Sequence, residues 1–239
     1  ECLVGSEMCI RDRLIILFAI PLMLGNICQQ LYTMVDTMVV GQVVGVEALA
    51  ALGAVDFLMW VVTGISTGLT QGFSIQLSQY YGAKDFENLR KSLAHSYRLT
   101  AFIAAGVLIL SQSFASLVLT GLHTPSNIIG MSLLYLRIIF CGIPATAAYN
   151  MFASALRAMG NSKTPLTSMI IASVLNVSLD ILFVAGFGWG VAGAAIATVI
   201  AQSFSAVYCF LILRRIDIVH LTRADFMPAS CMNVRMMKL

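Results

Sequence analysis

Two aspartates interrupt long apolar runs in this sequence, Asp36 within TMVDTMVV and Asp180 within NVSLDILFVAG. An ionisable side chain in a membrane-spanning helix costs about 2.5–3.5 kcal/mol at the bilayer centre, so it normally faces a protein interior or a watery cavity. Two carboxylates close together in such a place cannot both stay ionised cheaply. One takes a proton, or the pair takes a cation. Asn176 lies one turn before Asp180 on the same helical face. At 1.5 Å per residue, Asp36 falls about 6 Å from the end of its run, and Asp180, Tyr135 and Thr198 fall about 10 Å from the ends of theirs. Carboxylate, amide, hydroxyl and phenol oxygens thus share one level, a set suited to a proton or a hard ion such as Na⁺. The competing reading is that each side chain only hydrogen-bonds a neighbouring helix.

Further toward the start of the chain, Pro21 removes a backbone hydrogen bond and predicts a bendable helix. Asn26, Gln29 and Gln30 lie between Pro21 and Asp36, and Gln29 is the candidate substrate contact if a cavity opens there.

The elements that must carry these residues follow from composition. Of 239 residues, 59% are hydrophobic and 10% charged, with a mean hydropathy of +0.89. Soluble domains carry about 25% charged residues, so the expected solvent is lipid. Apolar runs of about 20 residues span a bilayer. Six such spans are predicted: Leu14–Val40, Ala48–Gln79, Leu93–Leu119, Ile128–Leu156, Pro165–Phe187 and Val191–Leu213. Gly- and Pro-bearing breaks separate them. The fold class expected is all-α integral membrane.

Charge sets the expected orientation. Connections two and four and both chain ends hold thirteen of the fourteen Lys and Arg residues, while connections one, three and five hold none. Arg98 is counted with connection two, at its far edge, and Arg137 alone lies deep within a predicted span. The basic side should face the cytoplasm, with both termini there, in a multi-pass protein of the plasma membrane. Residues 1–13 match nothing that follows and are read as a non-native leader. Residues 14–213 form the six-helix unit, and residues 214–239 are a mixed cytoplasmic linker.

Other chemistry is thinly represented. The six cysteines have no CxxC spacing and suggest neither a metal nor a disulfide framework. The three histidines (His95, His123, His220) are scattered, so no nucleophile–base pair or metal enzyme is expected. Short basic clusters between apolar runs do not make a nucleic-acid surface. Asp56, near the outer end of its span, is read as structural.

The stretches IPLMLGNICQQLYTMVDTMVVGQVVGVEALAALG, YYGAKDFENLRKS, YLRIIFCGIP, ALRAMGNSKTP and NVSLDILFVAGFGWGVAGAAIAT resemble, in that order, the multidrug and toxic compound extrusion (MATE) family. The resemblance runs from about Leu14 to Arg215. It implies the first lobe of a twelve-helix, two-lobed antiporter working by alternating access. It also implies export of amphipathic organic cations in exchange for H⁺ or Na⁺, with no organic cofactor and with the second lobe as partner. Asp36, Asn176, Asp180, Thr198 and Tyr135 match the family's first-lobe cation network. Asn176 also faces substrate, and Pro21 matches the proline implicated in bending. Asn150 is left out, because it lies about 22 Å along its helix from Tyr135. The alternatives are a lipid-linked-sugar flippase of the same superfamily, which would favour a cationic cavity, and an inactive six-helix fragment.

Overall fold

The computed structural model describes residues 2–216, without the side chains of residues 2–15, 17, 18, 22 and 69. Every described element is helical: α1 (Cys2–Val43), α2 (Val46–Gly82), α3 (Phe86–Gly121), α4 (Ile129–Cys141), α5 (Ile143–Ala158), α6 (Lys163–Asp180) and α7 (Gly190–Arg214). A π-helical turn, Ile181–Gly186, prolongs α6. Among the described residues, four helices (α2, α3, α6 with its π turn, and α7) are long and apolar enough to cross a membrane. The bent pair α4–α5 makes a fifth span if taken together. The first predicted span falls within α1, which already begins at Cys2 inside the segment read as a leader. The linker from residue 217 onward lies outside the described residues.

Two boundaries differ from the sequence reading. The connection between the second and third spans shrinks to residues 83–85, because α3 starts at Phe86 rather than near Leu93. Asp85 caps it: its carboxylate accepts from the Asn88 backbone N–H at 3.2 Å and from the Asn88 amide at 2.6 Å. Glu87 and Lys91 then pair across one turn at 2.6 Å. The cap and pair sustain a helix in water before it meets apolar surroundings.

The fourth predicted span, expected as one helix, bends by 44° between α4 and α5. Gly142 stands at the break and Pro144 in the first turn of α5, where its missing N–H costs nothing. A Cβ on Gly142 would sit 2.7 Å from Val199 Cγ2 and 3.0 Å from the Ile139 carbonyl oxygen. The glycine thus brings the break against α7. Gly193 likewise lets α7 approach the π turn, where a Cβ would meet the backbone of Phe183 at 3.1 Å.

The helices bury two apolar clusters. One joins Val40, Val55, Leu119, Tyr135, Leu136, Phe140 and Val184, and the other joins Phe73, Leu77, Leu89, Leu93, Met151, Leu156 and Leu213. Outside them, large apolar side chains face away from the bundle, among them Met23 and Leu31 of α1, Phe57 and Trp60 of α2, and Ile109 and Leu117 of α3. Lipid solvates such a surface and water does not.

Candidate functional site

Helices α1, α6 and α7 meet through small residues. Gly25 lets α1 approach α6, where a Cβ would come 3.3 Å from Met169 Sδ. Ser205 Oγ donates to the Ser168 carbonyl at 3.4 Å and ties α7 to α6. This packing turns the polar residues of all three helices inward.

Asp36 and Asp180 are buried, at 6% and 0% exposure, and Asn176 is 1% exposed. The two carboxyls are near enough to interact electrostatically, and Tyr32 and Tyr135 lie in the field of both. Asn176 Nδ2 donates to Thr198 Oγ1 at 3.4 Å, which closes the ring between α6 and α7. The structure therefore brings together Asp36, Asp180, Asn176, Thr198 and Tyr135. Four acceptor atoms in this cluster have no hydrogen-bond partner: Asp36 Oδ1, Asn176 Oδ1 and both oxygens of Asp180. Buried acceptors left unpaired cost roughly 1–3 kcal/mol each, and more when charged. Acceptors of this kind can be answered by a proton or a hard cation. Among the described residues no three His, Cys, Asp or Glu side chains cluster, so a hard ion would rest on amide and hydroxyl oxygens beside the two acids.

A cavity of about 870 Å³ lies against the cluster, large enough for a drug-sized molecule. Pro21, Gln29, Asn176 and Thr198 line it, as the sequence reading requires for Gln29 and Asn176. Asp36, Asp180 and Tyr135 do not line it; Asp180 is one turn beyond the lining residue Asn176 on α6. The π turn begins at Ile181, directly after Asp180. Such turns widen a helix and recur at functional sites, and nothing in the sequence announced it.

Several residues were missed or misplaced from sequence. Tyr32 lines the cavity, as does Gln202, which accepts from Thr146 Oγ1. The signal was available: Tyr32 is one turn before Asp36, and Gln202 one turn after Thr198. Asn150, set aside for its distance from Tyr135, is on the cavity wall, because the wall extends far along α5. Arg157, assigned to a connection, lies in α5 and also lines the cavity. Arg137 projects from an exposed face of α4 away from it. Asp56 is exposed ten residues into α2, and its field reaches Tyr135. α1 runs unbroken through Pro21.

A bundle of lipid-facing helices around a polar cavity, with buried acids behind its wall, has the make-up of a membrane transporter. The MatE family profile matches residues 21–182, and the chain belongs to that family. It is 33% identical over 201 residues to a probable multidrug resistance protein, YoeA, of Bacillus subtilis, covering 82% of this chain and 42% of the relative. It is 28% identical to the probable multidrug resistance protein NorM of Thermotoga maritima, covering 86% and 45%. A solved multidrug resistance MATE family transporter of the MOP superfamily, in an outward-facing conformation, superposes with a TM-score of 0.88. That match has 25% identity over 95% of this chain and 50% of the other. The chain thus spans about half the length of the relatives it matches. The family is one of transport proteins rather than enzymes, and its members are multi-pass membrane proteins.

Proposed function

We propose that this chain forms one six-helix lobe of an antiporter that exports amphipathic organic cations in exchange for H⁺ or Na⁺. On this reading Asp36, Asp180, Asn176 and Thr198 hold the coupling ion, and Tyr135 buttresses the acids. Gln29 and Asn176 contact substrate in the cavity, and a second lobe completes the cleft. The observation that carries the reading is the group of four orphaned acceptor atoms at the cavity, one on the lining residue Asn176 and three on Asp36 and Asp180. Asn176 and Thr198 belong to both the cavity and the cluster, so a ligand pressing on one alters the other. Reciprocal coupling of that kind is what exchange requires. Pro21 supplies a hinge in α1 between the bilayer surface and Asp36. Both chain ends face the cytoplasm, on the side where Lys84, Lys91, Arg157 and Lys163 collect.

The flippase alternative is not favoured. The relatives described above carry multidrug names. The inert-fragment alternative and the antiporter reading part company in one experiment. The chain is reconstituted in lipid nanodiscs, and proton release and ²²Na⁺ binding are followed as an aromatic cation, rhodamine B ethyl ester, is added. The expected result is ion release on dye binding, lost in Asp36→Asn and Asp180→Asn. Dye binding without ion release in the unaltered chain would leave the acids a structural role only.

A further inference from the structure

The helix α5 presents Thr146, Asn150, Ser154 and Arg157 to the cavity. Their spacing of four, four and three residues sets them in one stripe about 16 Å long. The stripe starts beside Gln202, near the Asn176–Thr198 contact, and ends on a guanidinium. Arg157 is the one charged residue among those described on the cavity wall, the acids being set behind it. Its Nη2 donates to Ser154 Oγ at 3.1 Å. Among the described residues the only ion pair is Lys91–Glu87, so no described carboxylate answers Arg157. On α2, which packs beside α5, the lining residues Gln71, Ser74 and Ser78 are neutral.

A guanidinium has five N–H donors in a planar fork that matches carboxylate and phosphate oxygens. Half-buried against a neutral polar wall, it has donors to spare and a charge to balance. A cation that only answered lipid headgroups would snorkel outward to the bilayer surface. Arg157 turns inward instead. Along its length the cavity therefore has a positive end at Arg157 and, behind Asn176 and Thr198, a negative one. A ligand carrying only positive charge satisfies one end and is repelled by the other.

We propose that Arg157, steadied by Ser154, is an oxyanion subsite, and that the cavity takes zwitterionic amphiphiles. The anionic group lies on Arg157 and the cationic body points toward Asp36 and Asp180. This rests on the cavity being the ligand site, as proposed above, and it narrows the substrate class.

The test compares rhodamine B, which bears a carboxylate beside its delocalised cation, with its ethyl ester, which lacks that anion. Binding is read by fluorescence anisotropy, with the full chain in phosphatidylcholine nanodiscs. The expected result is at least about tenfold tighter binding of the acid. Arg157→Gln should abolish that preference by weakening the acid alone, and Arg157→Lys should keep part of it. Should Arg157→Gln not fold, sodium benzoate added to the unaltered chain should compete with the acid and spare the ester. Binding of neither dye overturns the ligand cavity and the subsite with it. Equal binding of both dyes, or equal loss of both in Arg157→Gln, overturns the subsite and leaves the cavity. Displacement of the acid by a few per cent of phosphatidylglycerol in the nanodisc would put a lipid headgroup on Arg157 and also overturn the assignment.

Discussion

Asn176 of α6 donates to Thr198 Oγ1 of α7 at 3.4 Å, and the same two side chains are both cavity wall and cover over the buried acids. A space sized for an organic ligand thus lies beside a pair of carboxyls that lack hydrogen-bond partners.

Thr198→Val keeps the shape of the side chain and removes its oxygen. The Asn176 amide then loses its acceptor in a site 1% exposed, a loss worth about 1–3 kcal/mol. The expected outcome is a lower thermal midpoint together with weaker ²²Na⁺ or proton binding. Thr198→Ser restores both. A valine variant with an unchanged midpoint and unchanged ion binding would show that the contact is incidental.

Gly142→Ala tests the break between α4 and α5. The added methyl meets Val199, a β-branched residue with little rotamer freedom, and a backbone carbonyl. Neither yields readily, so α7 must shift next to Thr198. Overpacking of this kind costs about 1–3 kcal/mol. The expected result is a destabilised chain with altered dye affinity, measured by thermal unfolding and anisotropy. By contrast Gly64→Ala, where a Cβ meets nothing within 4 Å, should be neutral or slightly stabilising.

How much of this was legible beforehand differs by kind of signal. Composition and run length gave the lipid environment, and the predicted spans match the observed helices to a few residues, apart from the early starts of α1 and α3 and the break between α4 and α5. Depth counting placed Asp36, Asn176, Asp180, Thr198 and Tyr135 at one level because helix rise is fixed, and the structure brings them together. Counting along single helices could not show which wall faces the same space. Asn150 was lost for that reason, since a cavity has length as well as depth. The 44° bend was missed because its causes, Gly142 against Val199 and Pro144 in a first turn, are a tertiary contact and a position that helices tolerate. The π turn after Asp180 has no composition signal at all.

Outside the bilayer, Asp85 gives a pH prediction. Hydrogen bonds from the Asn88 side chain and then its backbone N–H hold the Asp85 carboxyl below the ordinary aspartate value. A carboxyl with a depressed folded-state pKa stabilises the fold above its unfolded-state pKa and loses that contribution as pH falls through the folded-state value. The cap is therefore intact at neutral pH and is lost only in acid below the usual aspartate range. The group is partly exposed to solvent, which screens the interaction, so the effect is small. Asp85→Ala should lower the thermal midpoint at pH 7 and converge on the unaltered chain at the acid end. An equal difference between the two proteins at every pH would show that the carboxylate is not what caps α3.

The two acids themselves permit a double-mutant cycle. Asp36→Asn removes one charge from a buried pair and gives its partner an amide donor, answering oxygens of Asp180 that now have none. Asp180→Asn does the same in reverse for Asp36 Oδ1. Each single change should raise the thermal midpoint, because each relieves the same interaction between the carboxyls. The double change has only one repulsion to relieve and leaves two amides competing for acceptors, so it should fall short of the sum. Residues sharing one network couple by about 0.5–3 kcal/mol. Unfolding in mixed micelles measures the three variants against the parent. Strict additivity would place Asp36 and Asp180 in separate environments, and no single ion could then be shared between α1 and α6.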